Sequence, residues 1–152
     1  MMDGAHLHLM LNHFPIAGMI FSVVILSLSW RSANEGLKRV SLLLVILTGL
    51  LTIPTFLTGE PAQKILEHLP SITPNFTKTM IETHEEAAEK SAWAVWGTSV
   101  VALAGLVLSF KKKVTPDWVL PVILTLTLGC VGLLAWSNNL GGQISHPEIR
   151  AK

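Results

Sequence analysis

Six histidines, His6, His8, His13, His68, His84 and His146, are the residues of this 152-residue chain best suited to chemistry. Neutral imidazole ligates haem iron, zinc and copper, and it titrates near neutral pH. Six carboxylates, Glu60, Glu67, Glu82, Glu85, Glu86 and Glu89, stand close to two of them in the sequence. Carboxylates so placed can orient an imidazole or bind a metal themselves. The single cysteine, Cys130, rules out a disulfide framework, a Cys-pair zinc site and a c-type haem attachment motif. There is no Glu-x-x-His repeat, no His-Glu-x-x-His signature and no glycine-rich phosphate loop. With a net charge of +1, nucleic acid is not an expected partner.

What must position these histidines is a membrane. Half of the residues are hydrophobic and only 14% are charged, against roughly a quarter for an average soluble domain. Four stretches carry no Asp, Glu, Lys or Arg: 14–30, 40–58, 91–110 and 118–137, of 17, 19, 20 and 20 residues. About 20 apolar residues span the hydrocarbon as a helix. One charge at a span centre costs roughly 2.5 to 3.5 kcal/mol on insertion scales, so four clean runs predict four transmembrane helices. The expected fold is all-α, a polytopic four-helix bundle forming one membrane domain over residues 1–152.

The connectors orient it. Residues 31–39 and 111–117 hold six basic residues, Arg31, Lys38, Arg39, Lys111, Lys112 and Lys113, in 16 positions; the other 60 non-span residues hold five. The positive-inside rule puts the short connectors in the cytoplasm, with both termini and the 59–90 segment in the periplasm of a bacterial inner membrane. Trp30, Trp93, Trp118 and Trp136 at or near the span ends agree, because indole rings favour the interface. With no basic n-region and no small-residue cleavage site after it, the first span reads as an uncleaved helix.

Within 59–90, Pro61 to His68 reads as a short helix opened by proline and stopped before Pro70. From Asn75 a helical pattern runs unbroken through His84 into the third span, so helix three is expected to project into the periplasm. Helix four extends likewise if it continues through Gly141 and Gly142 to His146, the residue before Pro147; the alternative ends it at Gly141. All six histidines fall on the periplasmic side, but 60 of the 76 non-span residues do too, so position along the helices says more. Ala87, Ala88, Ser91, Val95, Thr98, Ala102 and Gly105 follow His84 down one helical stripe, and Gly132, Ala135, Asn139 and Gly142 align with His146. Small residues there leave room for a flat macrocycle or metal, or let helices pack closely. His13, before Phe14 and Pro15, stands at the mouth of helix one.

The segments His8-x-x-x-x-His13-Phe14-Pro15 and Gly141-Gly142-Gln143-Ile144-Ser145-His146 resemble the small bacterial membrane proteins of domain of unknown function 2231. Thr58-Gly59-Glu60-Pro61-Ala62 and Glu82-Thr83-His84-Glu85-Glu86-Ala87-Ala88 are similar to segments of one branch of that group. The resemblance implies four membrane helices with histidines at one end and supports His13, His84 and His146 as a set; Leu9 stands where proline is expected after His8. It supplies no settled activity.

The leading expectation is a membrane b-type haem protein passing electrons at the periplasmic face, with His13, His84, His146 and His68 as candidate axial ligands. The alternative is zinc or copper on His13, His84 and His146 with Glu60 or Glu85. A third is a structural or assembly subunit. The partners these readings imply are the bilayer, a redox partner or larger membrane complex, and copies of the same chain; an accessory subunit is expected more than a stand-alone enzyme.

Overall fold

The computed structural model describes residues 4–67 and 78–145, and these are helical apart from short breaks. Six helices follow one another: α1 (Gly4–Leu11), α2 (His13–Trp30), α3 (Glu35–Leu57), α4 (Gly59–Glu67), α5 (Lys78–Lys112) and α6 (Val119–Ser145). Four helices are long and apolar enough to cross a membrane, in agreement with the four uncharged runs. They pack in ring order α2, α3, α5, α6, each against its sequence neighbour, with α6 closing on α2. Short turns at one end of the bundle make this the up-and-down arrangement.

Several boundaries are sharper than the charge-free runs. The helices extend past the spans, so Glu35, Lys38 and Arg39 open α3 and Lys111 and Lys112 close α5. Asn34 fixes the start of α3, its side-chain oxygen accepting from the Leu37 N–H at 3.1 Å. α6 runs through Gly141 and Gly142 without a break. The short helix expected within 59–90 is α4, starting at Gly59, two residues before the expected proline. α1 carries no expectation from sequence, because eight residues, apolar apart from His6 and His8, before a longer apolar run show no separate period.

The interior is small and partly polar while the exterior is large and apolar. Ser22, Thr48, Thr52, Ser91, Thr98, Thr127 and Ser137 are buried, whereas Phe21, Leu28 and Val100 are 67%, 65% and 66% exposed. A soluble protein rarely leaves so large an apolar surface to water, and lipid removes that cost. Buried hydroxyls are satisfied locally: Thr52, Thr98 and Thr127 each donate to the carbonyl four residues back. Thr98 uses its hydrogen in this way, so the buried Cys130 thiol is the donor in the 3.2 Å contact between them.

Small residues set the helix spacing. A Cβ on Gly49 of α3 would collide with Ser99 of α5, whose hydroxyl lies 3.1 Å from the Val45 carbonyl. Trp96 donates its indole N–H to the Gly49 carbonyl at 3.2 Å. The stripe beneath His84 is therefore packing surface: Ala87, Ser91, Val95, Thr98 and Ala102 are all buried. The stripe expected on α6 faces outward instead, with Gly132, Ala135 and Asn139 exposed and Cys130, Leu134 and Ser137 buried. The α6 core follows this second line, on which Val119, Leu120 and Ile123 continue toward the opposite end.

At that end the two turns are tied together. Glu35 accepts from the Thr115 N–H and hydroxyl at 2.7 and 2.8 Å and pairs with Lys38 at 2.8 Å. Those donors, Lys38 foremost, hold its carboxyl down at about 2. Arg39 donates to the Ser109 hydroxyl, the Ser109 carbonyl and the Lys113 carbonyl at 3.0, 3.2 and 3.3 Å, and lies over the Phe110 ring at 4.5 Å. Lys113 adopts φ 61°, a left-handed turn that ends α5 and presents its carbonyl to Arg39.

Candidate functional site

At the other end the structure places His8 and His84 within electrostatic range of one another. α1 packs against α4, and the pair caps the bundle where α3 ends and α5 and α6 begin to project. Thr58 breaks the helix between α3 and α4, and its hydroxyl donates back to the Pro54 and Thr55 carbonyls, both at 2.9 Å. That hydrogen is therefore spent. In the 3.2 Å contact with His8, Nδ1 of the histidine is the donor and the Thr58 hydroxyl oxygen accepts.

His84 is held in the same way from another helix. Its Nδ1 lies 3.0 Å from the Ser137 carbonyl of α6, and a carbonyl only accepts, so Nδ1 carries the hydrogen. Gly141, one turn beyond Ser137, makes room for the ring: a Cβ there would stand 3.0 Å from His84 Cε1 and 3.4 Å from both ring nitrogens. Gly59 borders the His8 ring at 3.7 Å by the same measure. With a hydrogen on Nδ1, each neutral ring keeps its lone pair on Nε2.

Electrostatics favours that neutral form. Burial pushes both imidazoles below the ordinary histidine range, opposed at His8 by the Thr55 carbonyl and at His84 by the Ser137 carbonyl. The two rings also feel each other: a charge on His8 disfavours one on His84, while the Glu85 carboxylate favours it. Two half-buried imidazoles from separate helices are thus each oriented through Nδ1, and imidazole in this form is chemically able to donate to a metal through Nε2.

The other candidates are placed differently. His13 is exposed at the first turn of α2, and His6 is exposed on α1. Glu60 is exposed and bridges Lys64 at 2.6 Å, which holds its carboxyl below the usual range. Glu85 is exposed beside His84. His68 and His146 lie outside the described residues. Among the described residues, no three His, Cys, Asp or Glu side chains gather closely enough to hold a metal ion.

A family described as predicted membrane proteins matches residues 4–147 of this chain, nearly its whole length. The chain belongs to the predicted membrane protein family DUF2231. No curated protein and no solved structure matches it. Membership in DUF2231 supports the bundle and its embedding in a bilayer, and it leaves the chemistry of the histidine end to be argued from the residues.

His8 is the site residue that sequence reasoning set aside. The Leu9 departure pointed away from it, and only the fold of α1 back over Thr58 brings it near His84. One signal was legible: Thr58-Gly59 directly after a transmembrane run supplies a break, a hydroxyl and a bare backbone at the height of the first histidines.

Proposed function

We propose that this DUF2231 protein is a b-type haem-binding electron-transfer protein or subunit of the bacterial inner membrane, with its histidine site at the periplasmic face. The observation that carries this reading is the His8–His84 pair, with both Nδ1 positions tied and both Nε2 lone pairs free. Haem iron takes four ligands from its macrocycle and needs at most two imidazoles. Zinc and copper sites usually draw three or four ligands from the protein, and the described residues near His84 offer Glu85 as the one further donor. His68 and His146, outside the described residues, are the candidates for a second pair, and His13, exposed at the first turn of α2, is a further candidate. The orientation rests on the basic residues gathered at the opposite end.

On this reading the chain's own residues do three things. Thr58 and the Ser137 carbonyl orient the two imidazoles and fix their tautomers. Partial burial keeps both rings neutral at physiological pH and so able to donate to iron. Gly141, lacking a side chain, leaves room for the His84 ring. Bound haem supplies the one-electron couple, and the apolar surroundings and the Nδ1 hydrogen bonds tune it.

The test is an absorption spectrum of the protein purified from cells grown with ample haem. A Soret band and a reducible α band, both altered in H8A and H84A, are expected. Their absence, together with stoichiometric zinc or copper by elemental analysis, assigns the site to a non-haem metal instead. Absence of both cofactors leaves a structural subunit.

A further inference from the structure

The basic end carries a second surface, independent of the histidines. Its acidic side chains are Glu35 and Asp117, and Glu35 is consumed internally by Lys38 and Thr115. Lys38 and Arg39 are likewise engaged, in the Glu35 pair and in the tie to the α5–α6 turn. What faces outward is Arg31, Lys111, Lys112 and Lys113 against Asp117. The three lysines have a fixed presentation, because Arg39 grips the Lys113 carbonyl and the left-handed turn at Lys113 ends the helix there.

Two indoles mark the level of the interface. Trp30 is 45% exposed with the Arg31 guanidinium 5.8 Å from its ring centroid, and Trp118 is 57% exposed at the foot of α6. Directly above Trp118, the outer face of α6 has a groove of about 340 Å³ lined by Pro121, Val122, Thr125 and Leu126. Its one hydroxyl is internally satisfied, Thr125 donating to the Pro121 carbonyl at 2.9 Å. This open, shallow depression offers mainly apolar contact, and it begins about 5 Å and ends about 12 Å along the helix from Trp118. That is acyl-chain depth, one short turn along the chain from the lysines that end α5.

We infer that this groove and those lysines hold one anionic phospholipid of the adjoining leaflet, the phosphate on Lys111–Lys113 and the chain along Pro121–Leu126. Charge complementarity selects the headgroup, since a zwitterionic lipid fills the groove without neutralising the lysines. Juxtamembrane lysines attract anionic lipid by electrostatic terms that are additive and screened by salt.

Native mass spectrometry of the full-length protein with equal phosphatidylglycerol and phosphatidylethanolamine of identical chains tests this. The expected result is about tenfold preferential retention of phosphatidylglycerol, falling toward parity in K111Q/K112Q/K113Q and at high salt on the unaltered protein. L126W, which fills the groove, is expected to lower retention of both lipids. K64Q/K90Q, at the histidine end, is expected to leave the preference intact. Equal retention of the two lipids by the unaltered protein overturns the proposal, as does a preference that survives the triple substitution or depends on Lys64 and Lys90.

Discussion

The two ends of this bundle are both polar, and they use polarity in opposite ways. At the basic end every invested group has its partner: Glu35 accepts from Thr115 and Lys38, while Arg39 donates to three oxygens and stacks on Phe110. At the histidine end His8 and His84 are each anchored through one ring nitrogen, and the other keeps its lone pair. A network whose members satisfy one another fixes geometry. Two imidazoles that are oriented but not consumed have coordinating capacity left for a ligand. The contrast separates a tie that holds two turns together from a candidate site.

The largest effect that distinguishes the ends is spectroscopic. The double variant H8A/H84A is expected to lose the haem absorbance that belongs to this pair, while each single variant alters the same bands less. A normal spectrum in the double variant would move the axial ligands to His13, His68 and His146 and break the comparison at its stronger end.

Removing Arg39 comes next. R39A strands the Ser109 and Lys113 oxygens and exposes a face of Phe110, a loss of about 2 kcal/mol for a charged hydrogen-bonding group. For a chain of this size the apparent Tm should fall by about 5 °C, measured by circular dichroism in detergent. The haem spectrum should not change, because the tie lies at the far end of the bundle.

A smaller effect is expected at Gly141. In G141A the new methyl meets His84 at 3.0 Å, so the ring must give way by a few tenths of an ångström. Haem titration should read this as about tenfold weaker binding, near 1.4 kcal/mol, with the helical content unchanged.

Acid should then act on the two ends in sequence. His8 and His84 have folded pKa values below the ordinary 6.5, so the unfolded chain binds protons first as pH falls. Their contribution to stability is fully present above about 6.5 and is lost as pH drops through the folded values. Glu35, lowered from 4.5 to about 2, keeps its contribution down to pH 4.5 and loses it between there and 2. Amide exchange should therefore rise in α1 as pH falls below the ordinary histidine range while the start of α3 stays protected. Simultaneous loosening of both ends would remove the distinction. The smallest change is expected from H13A, whose exposed ring should leave both the spectrum and the apparent Tm near those of the unaltered protein.

Much of the frame was legible before any coordinates. The absence of charge across 14–30, 40–58, 91–110 and 118–137 identifies spans because lipid penalises each buried charge, whatever its neighbours are. The unbroken pattern through His84 likewise predicts a projecting helix, since nothing between Lys78 and Ser91 interrupts the backbone ladder. The α6 stripe was misread for a physical reason. A helical wheel centred on His146 gives the line of small residues but not the side facing the core, and packing on α2 and α5 turned Cys130, Leu134 and Ser137 inward.

The sequence by itself determined that the chain is helical, crosses a membrane four times and gathers its basic residues at one end, because these follow from the energetics of each segment in lipid. Tertiary structure decided which histidines come within electrostatic range of each other. His8 and His84 are separated by most of the molecule's first half, and they converge only because α1 folds over the break at Thr58 while α6 brings the Ser137 carbonyl and Gly141 to the other ring. Local pattern carries no record of such a contact, whose partners sit on elements that each fold for independent reasons.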